Sequence, residues 1–279
     1  MTMAAARTFE LAPGIAVGAG VAPVVIAGPC VVESLEICRR IAGTMAAVCA
    51  DVGLPYIFKA SFDKANRTSG SSFRGEGMEP GLERLAAIRA EFKVPVLTDI
   101  HESSQAAVVA RVVDVLQIPA FLCRQTDLLI AAGETGRPVN IKKGQFMAPE
   151  DMGPALRKVQ ETGNQRVLLT ERGTTFGYHN LVVDMRGLVI MADLGVPVVF
   201  DATHSVQLPG GQGSSSGGQR QFVAPLVRAA AAVGVDGLFL ETHPEPAKAL
   251  SDGANSLPLA EMAAILRSFK TIHEHARSH

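Results

Sequence analysis

A thiol, an imidazole and two carboxylates stand at Cys30, His204, Glu241 and Asp252. Brought together, they offer soft sulfur, borderline nitrogen and hard oxygen. That mixture suits one divalent Zn, Fe, Mn or Co ion better than Mg²⁺. Their local spacing is no metal motif, and taken singly Cys30 reads as a small buried hydrophobe. A second set is basic: Lys59, Lys64, Arg67, Lys142 and Arg172. Cations converging on one place repel each other unless an anionic ligand relieves them. Phosphate and carboxylate are the natural ligands, with arginine supplying bidentate contacts. The remaining candidates read as structural. His101 reads as a helix cap, and His273, His275 and His279 as a solvated tail. Cys38 and Cys49 read as packing residues, and Cys123, beside Arg124, as structural rather than nucleophilic.

What could bring such residues together is a rhythm in the chain. Short apolar runs recur, and nearly every one stops at a polar residue. Val24-Val25-Ile26 leads to Cys30, and Tyr56-Ile57-Phe58 ends at Lys59. Val94-Pro95-Val96-Leu97 leads to Asp99, Val115-Leu116 to Gln117, and Val139-Asn140-Ile141 to Lys142. Val167-Leu168-Leu169 precedes Glu171 and Arg172. Val196 to Phe200 precedes Asp201 and His204, and Leu238-Phe239-Leu240 ends at Glu241. The runs are rich in Val and Ile with little alternation, as in strands covered on both faces. Amphipathic segments lie between them. Leu82, Leu85, Ile88 and Phe92 form one apolar stripe, and Leu259, Met262, Ile265, Leu266 and Phe269 another. Eight strand–helix units predict a closed (β/α)8 TIM barrel whose polar stops gather at one rim, where such barrels place their chemistry. In that frame strands one, seven and eight are neighbours, which unites Cys30, His204 and Glu241. An open doubly wound sheet is the rival, but Gly28-Pro29-Cys30 is no GxGxxG turn.

The 279 residues fit one such barrel, which typically takes about 250. The expected division is a hairpin extension over 1–22 and the barrel over 23–279, with a hairpin from Thr8 to Val17 turning at Pro13-Gly14 to close the barrel floor. A net charge of −1 gives no general attraction to nucleic acid or an anionic membrane. The uncharged stretch from Leu11 to Val32 is broken by Pro13, Pro23 and Pro29, which argues against a spanning or signal segment. Four cysteines without paired spacing predict a reduced, cytoplasmic protein. Two loops interrupt the rhythm. Residues 61–81 carry Lys64, Arg67 and Arg74. Residues 209–221, rich in Gly and Ser, read as a plain connector or as a lid following His204.

The segment Lys59-Ala60-Ser61-Phe62-Asp63-Lys64-Ala65-Asn66-Arg67-Thr68-Ser69 resembles a signature of the 3-deoxy-D-manno-octulosonate 8-phosphate synthase (2-dehydro-3-deoxyphosphooctonate aldolase) family. So do Gln117 to Leu122 with Arg124-Gln125-Thr126-Asp127, Asn140 to Phe146, Phe176-Gly177-Tyr178, Asn180 to Met185 and Asp201 to Ser205. The resemblance implies a barrel enzyme, generally tetrameric, that makes a lipopolysaccharide precursor from phosphoenolpyruvate, D-arabinose 5-phosphate and water. By similarity, Lys64, Lys142 and Arg172 bind phosphoenolpyruvate, with Gln117 and Ala120 lining its pocket. Lys59, Asn66, Arg67 and Asp99 hold the arabinose phosphate, Ser61 is among the substrate-binding residues, and Arg124 reaches that phosphate from a neighbouring subunit. The family's metal-independent members carry Asn where Cys30 stands, and Ser251-Asp252-Gly253 also resembles the metal-dependent pattern. The resemblance thus implies a metal site at Cys30, His204, Glu241 and Asp252, with Lys59 beside it in the catalytic group.

Three other readings are open. The related synthase using erythrose 4-phosphate has a Lys-Pro-Arg-Thr signature where this chain reads Lys64-Ala65-Asn66-Arg67-Thr68. A Schiff-base aldolase would use Lys59 or Lys142 as nucleophile. A barrel that binds sugar phosphates without turnover would need neither.

Overall fold

The computed structural model describes residues 6–66, 69–70, 73–210 and 217–277. The eight apolar runs are its strands: β1 (Val24–Gly28), β2 (Tyr56–Lys59), β3 (Val96–Asp99), β4 (Val115–Ile118), β5 (Val139–Lys142), β6 (Val167–Glu171), β7 (Val198–Asp201) and β8 (Gly237–His243). Each pairs in parallel with the next, and β8 pairs back onto β1, so the sheet closes. Their helices are α1 (Leu35–Val52), α2 (Met78–Phe92), α3 (Ser103–Val109), α4 (Thr126–Glu134), α5 (Met152–Gln160), α6 (Arg186–Ala192), α7 (Val223–Val233) and α8 (Met262–Arg277). This is the predicted (β/α)8 TIM barrel.

Strand side chains divide by parity. Val24, Ile26, Ile57, Leu97, Val115, Leu168, Val199 and Phe239 meet inside the barrel. Val25, Ala27, Phe58, Val96 and Leu116 point outward into the larger core under the helices. That two-sided covering explains runs without alternation. The stripe Leu82, Leu85, Ile88 is buried on α2, as Met262, Ile265, Leu266 and Phe269 are on α8. Local signals set several helix ends. Ser34 caps α1 by accepting from Ile37 N at 3.1 Å, and Gly53 ends it in the left-handed region at φ 72.

The predicted hairpin is present as strands Phe9–Ala12 and Ile15–Val17, turning through Gly14 at φ 75. Its Leu11 and Val17 join the inner barrel cluster, so it closes the floor. Arg7 N donates to Gly195 O, just before β7, at that same end. Two buried carboxylates stitch the floor at opposite sides. Asp114, before β4, accepts from Val96 N and Arg89, while Asp236, before β8, accepts from Val198 N and Arg277. No helix among the described residues is long and apolar enough to cross a membrane.

At the opposite end, short pairs extend the loops. Thr174–Thr175 pairs with Leu181–Val182 after β6, Gln207–Leu208 with Gly217–Gly218 after β7, and Leu257–Pro258 with the end of β8. Of the loop expected over 209–221, residues 211–216 lie outside the described residues.

Candidate active site

Each polar stop reaches the same rim because parallel strands end together. Cys30 stands two residues past β1. Lys59, Asp99, Lys142 and Asp201 close β2, β3, β5 and β7, and Glu241 lies within β8. The rim is tight at β1: a Cβ on Gly28 would run into the Lys59 carbonyl, so only glycine lets β2 approach. His204 opens a 3-10 turn after β7. Asp252 sits in the loop after β8 with φ 51, a left-handed conformation that an aspartate tolerates.

A cavity of about 780 Å³ opens at this rim. Of the predicted residues, Lys59, Lys64, Asn66, Asp99 and Gln117 line it, as do Ala120, Lys142, Arg172, His204 and Asp252. Ser61 is buried behind Asp99, to which its hydroxyl donates. Arg124 is exposed and not among the residues lining the cavity. Arg67 lies outside the described residues.

The thiol and carboxylates meet at the cavity's β1–β8 side. One ligand atom each from Cys30, Glu241 and Asp252 lie within 4.8 Å of one another. His204 Nε2 is 3.6 Å from Glu241 Oε2 and 3.8 Å from Asp252 Oδ2. Cys30 Sγ lies 3.1 Å from Asp252 Oδ2 and 2.9 Å from Ser251 Oγ, so its one S–H has both oxygens within hydrogen-bond reach. Glu241 Oε2 is buried without a hydrogen-bond partner. Burial pushes the Cys30 thiol well above its ordinary pKa, and the Asp252 and Glu241 carboxylates push it further. A thiolate here therefore needs a cation beside it.

Lysines neutralise the rest. Lys59 Nζ is 2.7 Å from Glu241 Oε1 and donates to the Cys30 carbonyl at 3.0 Å. Lys142 Nζ is 2.6 Å from Asp201 Oδ2 and lies 3.6 Å from the centre of the Phe239 ring. Burial lowers the Lys142 pKa, and Asp201 offsets part of that. Burial alone would raise Asp99 and Glu241. Nearby cations, Lys59 foremost, instead hold both carboxyls below the ordinary carboxylate range.

Sequence reasoning missed the supporting residues. Asp201 Oδ2 stands 2.7 Å from His204 Nδ1, and Asp201 Oδ1 accepts from His204 N at 3.0 Å. That carboxylate fixes the imidazole with Nε2 toward Glu241 and Asp252. The Asp-x-x-His spacing at a strand end was a signal for it. Gln207 accepts from Arg172 at 2.6 Å, and Glu171 accepts from the amides of Arg172 and Gly173. Two expectations fail. His101 does not cap α3, because Glu102 and Gln105 form the capping box. Its ring instead meets Phe62 edge-on and lines the cavity. His273 is not solvated: α8 turns it inward, against Phe269 and the Val235 carbonyl. His275 is exposed as expected, and His279 lies outside the described residues.

A family model described as the DAHP synthetase I family matches residues 3–277. The chain belongs to this family. Among relatives, proteins named 2-dehydro-3-deoxyphosphooctonate aldolase match along most of the length. The one from Syntrophotalea carbinolica is 62% identical over 247 residues, 88% of this chain and 89% of its own. Those from Azoarcus sp. strain BH72 and Trichlorobacter lovleyi are 58% and 56% identical, each over 95% of this chain and over 96% and 98% of their own.

Proposed function

We propose that the chain condenses phosphoenolpyruvate with D-arabinose 5-phosphate and water, giving 3-deoxy-D-manno-octulosonate 8-phosphate and inorganic phosphate for lipopolysaccharide biosynthesis. One observation carries this reading: a single rim cavity is lined by Lys59, Lys64, Lys142 and Arg172 together with His204 and with Asp252 of the Cys30 cluster. Relatives 56–62% identical, named for the octulosonate enzyme, favour it over the erythrose 4-phosphate alternative.

Lys64, Lys142 and Arg172 hold the phosphate and carboxylate of phosphoenolpyruvate, with Gln117 and Ala120 against it. Asp201 keeps Lys142 charged and in place, and Gln207 aims the Arg172 guanidinium. Lys59, Asn66, Arg67 and Asp99 take the arabinose phosphate, with Ser61 fixing the Asp99 carboxylate. Arg124 is exposed and does not line its own cavity, which suits a contact with a neighbouring subunit. Phe121, Phe146, Phe176 and Tyr178 expose large apolar surface and support a homotetramer.

Cys30, His204, Glu241 and Asp252 fit one divalent ion per subunit, of Zn, Fe, Mn or Co. A tetrahedral ion with bonds of about 2.0 to 2.3 Å sets its ligand atoms roughly 3.3 to 3.8 Å apart. The His204–Glu241 and His204–Asp252 separations fall there, the Cys30–Asp252 contact at 3.1 Å is shorter, and Glu241 Oε2 is buried without a hydrogen-bond partner. When bound, the ion supplies positive charge that polarises the aldehyde or orients the attacking water. The four free, buried cysteines and the soluble substrates support a cytoplasmic reading.

Phosphate release tests the reading. It is expected from phosphoenolpyruvate with arabinose 5-phosphate, and release with erythrose 4-phosphate instead would overturn it. Borohydride should trap no substrate adduct on Lys59 or Lys142. Chelation should abolish turnover, and added Mn²⁺, Co²⁺ or Zn²⁺ should restore it. Cys30→Asn should keep partial turnover that chelator does not affect.

A further inference from the structure

Consecutive strands carry a hydrogen-bonded chain of polar side chains under the cavity. Ser61, just past β2, donates to Asp99 Oδ2. Gln117 on β4 donates through Nε2 to Asp99 Oδ1 at 2.6 Å. Asn140 on β5 donates through Nδ2 to Gln117 Oε1 at 2.8 Å. Thr170 on β6 donates its hydroxyl to Asn140 Oδ1 at 2.6 Å. All five side chains are buried, and of them only Asp99 and Gln117 line the cavity.

This chain has a direction. An ionised carboxylate only accepts, so Asp99 draws the nitrogen end of the Gln117 amide toward itself. Gln117 Oε1 must then face β5, which draws the nitrogen of Asn140, and Asn140 Oδ1 must face β6. There a hydroxyl, whose hydrogen can rotate, ends the series. Reversing Gln117 would set its oxygen against the Asp99 carboxylate and its nitrogen against the nitrogen of Asn140, and reversing Asn140 would set its oxygen against Gln117 Oε1.

We propose that Asn140 and Thr170 are positioning residues, locking Gln117 with its amide nitrogen toward Asp99 so that it meets an anionic substrate as a donor. Gln117 has a second N–H to offer, and Asp99 keeps both oxygens in one orientation toward the sugar. The substrates named rest on the reading of the preceding section; the direction of the chain does not.

The test pairs Thr170→Val, which removes the donor at nearly constant shape, with Thr170→Ser, which keeps it. In the ligand-free protein, NMR should show slow hydrogen exchange at the Gln117 side-chain amide in the parent and in Thr170→Ser. It should show fast exchange in Thr170→Val. Kinetics should show KM for phosphoenolpyruvate raised about tenfold in Thr170→Val, the size expected for an unpaired buried acceptor, and restored in Thr170→Ser. Asn140→Asp sets an acceptor-only group against Gln117 Oε1 and should lose more than Thr170→Val. Thr170→Val with a lowered melting temperature but parental exchange and KM would overturn the proposal. So would a Thr170→Ser variant that behaves like Thr170→Val. A parent enzyme without turnover would count against the proposed reaction, while the exchange measurement would still decide the positioning role.

Discussion

Asp99 and Cys30 show how one rim can push two acids in opposite directions. Lys59, Lys64 and Lys142 surround Asp99 and overcome the cost of its burial, so its carboxyl stays ionised well below the usual range. Burial first, and then the Asp252 and Glu241 carboxylates, push the Cys30 thiol well above its ordinary pKa. The first shift has a sign that can be measured. A carboxyl whose folded pKa is depressed stabilises the fold above its unfolded value, about 3.9, and that contribution fades as pH falls below it. Asp99→Asn should therefore flatten the loss of melting temperature on acidification below about pH 4. The flattening is partial, because two other buried carboxyls are depressed as well: Glu241 by Lys59 foremost, and Asp201 by His204 and Lys142. An unchanged acid limb would show that Asp99 gains nothing from its lysines.

The loop between β8 and α8 carries Asp252, and it is tied to the loop after β1. Glu33 Oε1 accepts from Leu250 N at 3.0 Å, and Glu33 Oε2 lies 3.5 Å from His243 Nε2. Gly253 allows the turn, since a Cβ there would strike the Pro246 carbonyl. Glu33 thereby anchors the loop two residues before Asp252. Glu33→Ala should weaken Co²⁺ binding about 10- to 100-fold, the usual cost of losing an outer support of a metal ligand. The thiolate-to-cobalt absorption band reports that affinity directly. Glu33→Gln keeps an acceptor for Leu250 N and should stay near the parent. Equal affinity in all three proteins would remove Glu33 from the account.

The whole barrel separates stability from chemistry by its two ends. The floor holds the hairpin and the paired Asp114 and Asp236, and the rim holds the cavity. Leu11 is 1% exposed inside the floor cluster. Leu11→Ala should cost about 2 to 5 kcal/mol by urea unfolding, yet leave kcat unchanged. A change in kcat without a change in stability would contradict that separation. The four cysteines are buried and unpaired. Burial pushes Cys38 and Cys49 up to about 12. The native protein should accordingly resist thiol reagents that label it after denaturation.

The barrel and its working face were legible in the sequence. Eight β-branched runs with polar stops have one economical closure, and parallel strands must end at the same rim. The sequence also reached many of the charged and polar residues at the cavity, because Lys59, Asp99, Gln117 and Lys142 terminate strands or lie at their ends. The motif around Asn66 added the sugar, through resemblance rather than periodicity. Tertiary structure decided what lies between those residues. Asp201 supports both His204 and Lys142, and no spacing rule states that a strand-end carboxylate will serve two partners. His101 and His273 changed roles for the same kind of reason: a capping box formed without His101, and the packing of α8 turned His273 inward. The chain from Thr170 to Asp99 was invisible in the sequence, since its members are far apart along it. Only closure of the sheet places their side chains at one height, and only an acceptor-only carboxylate at its end gives that chain a direction.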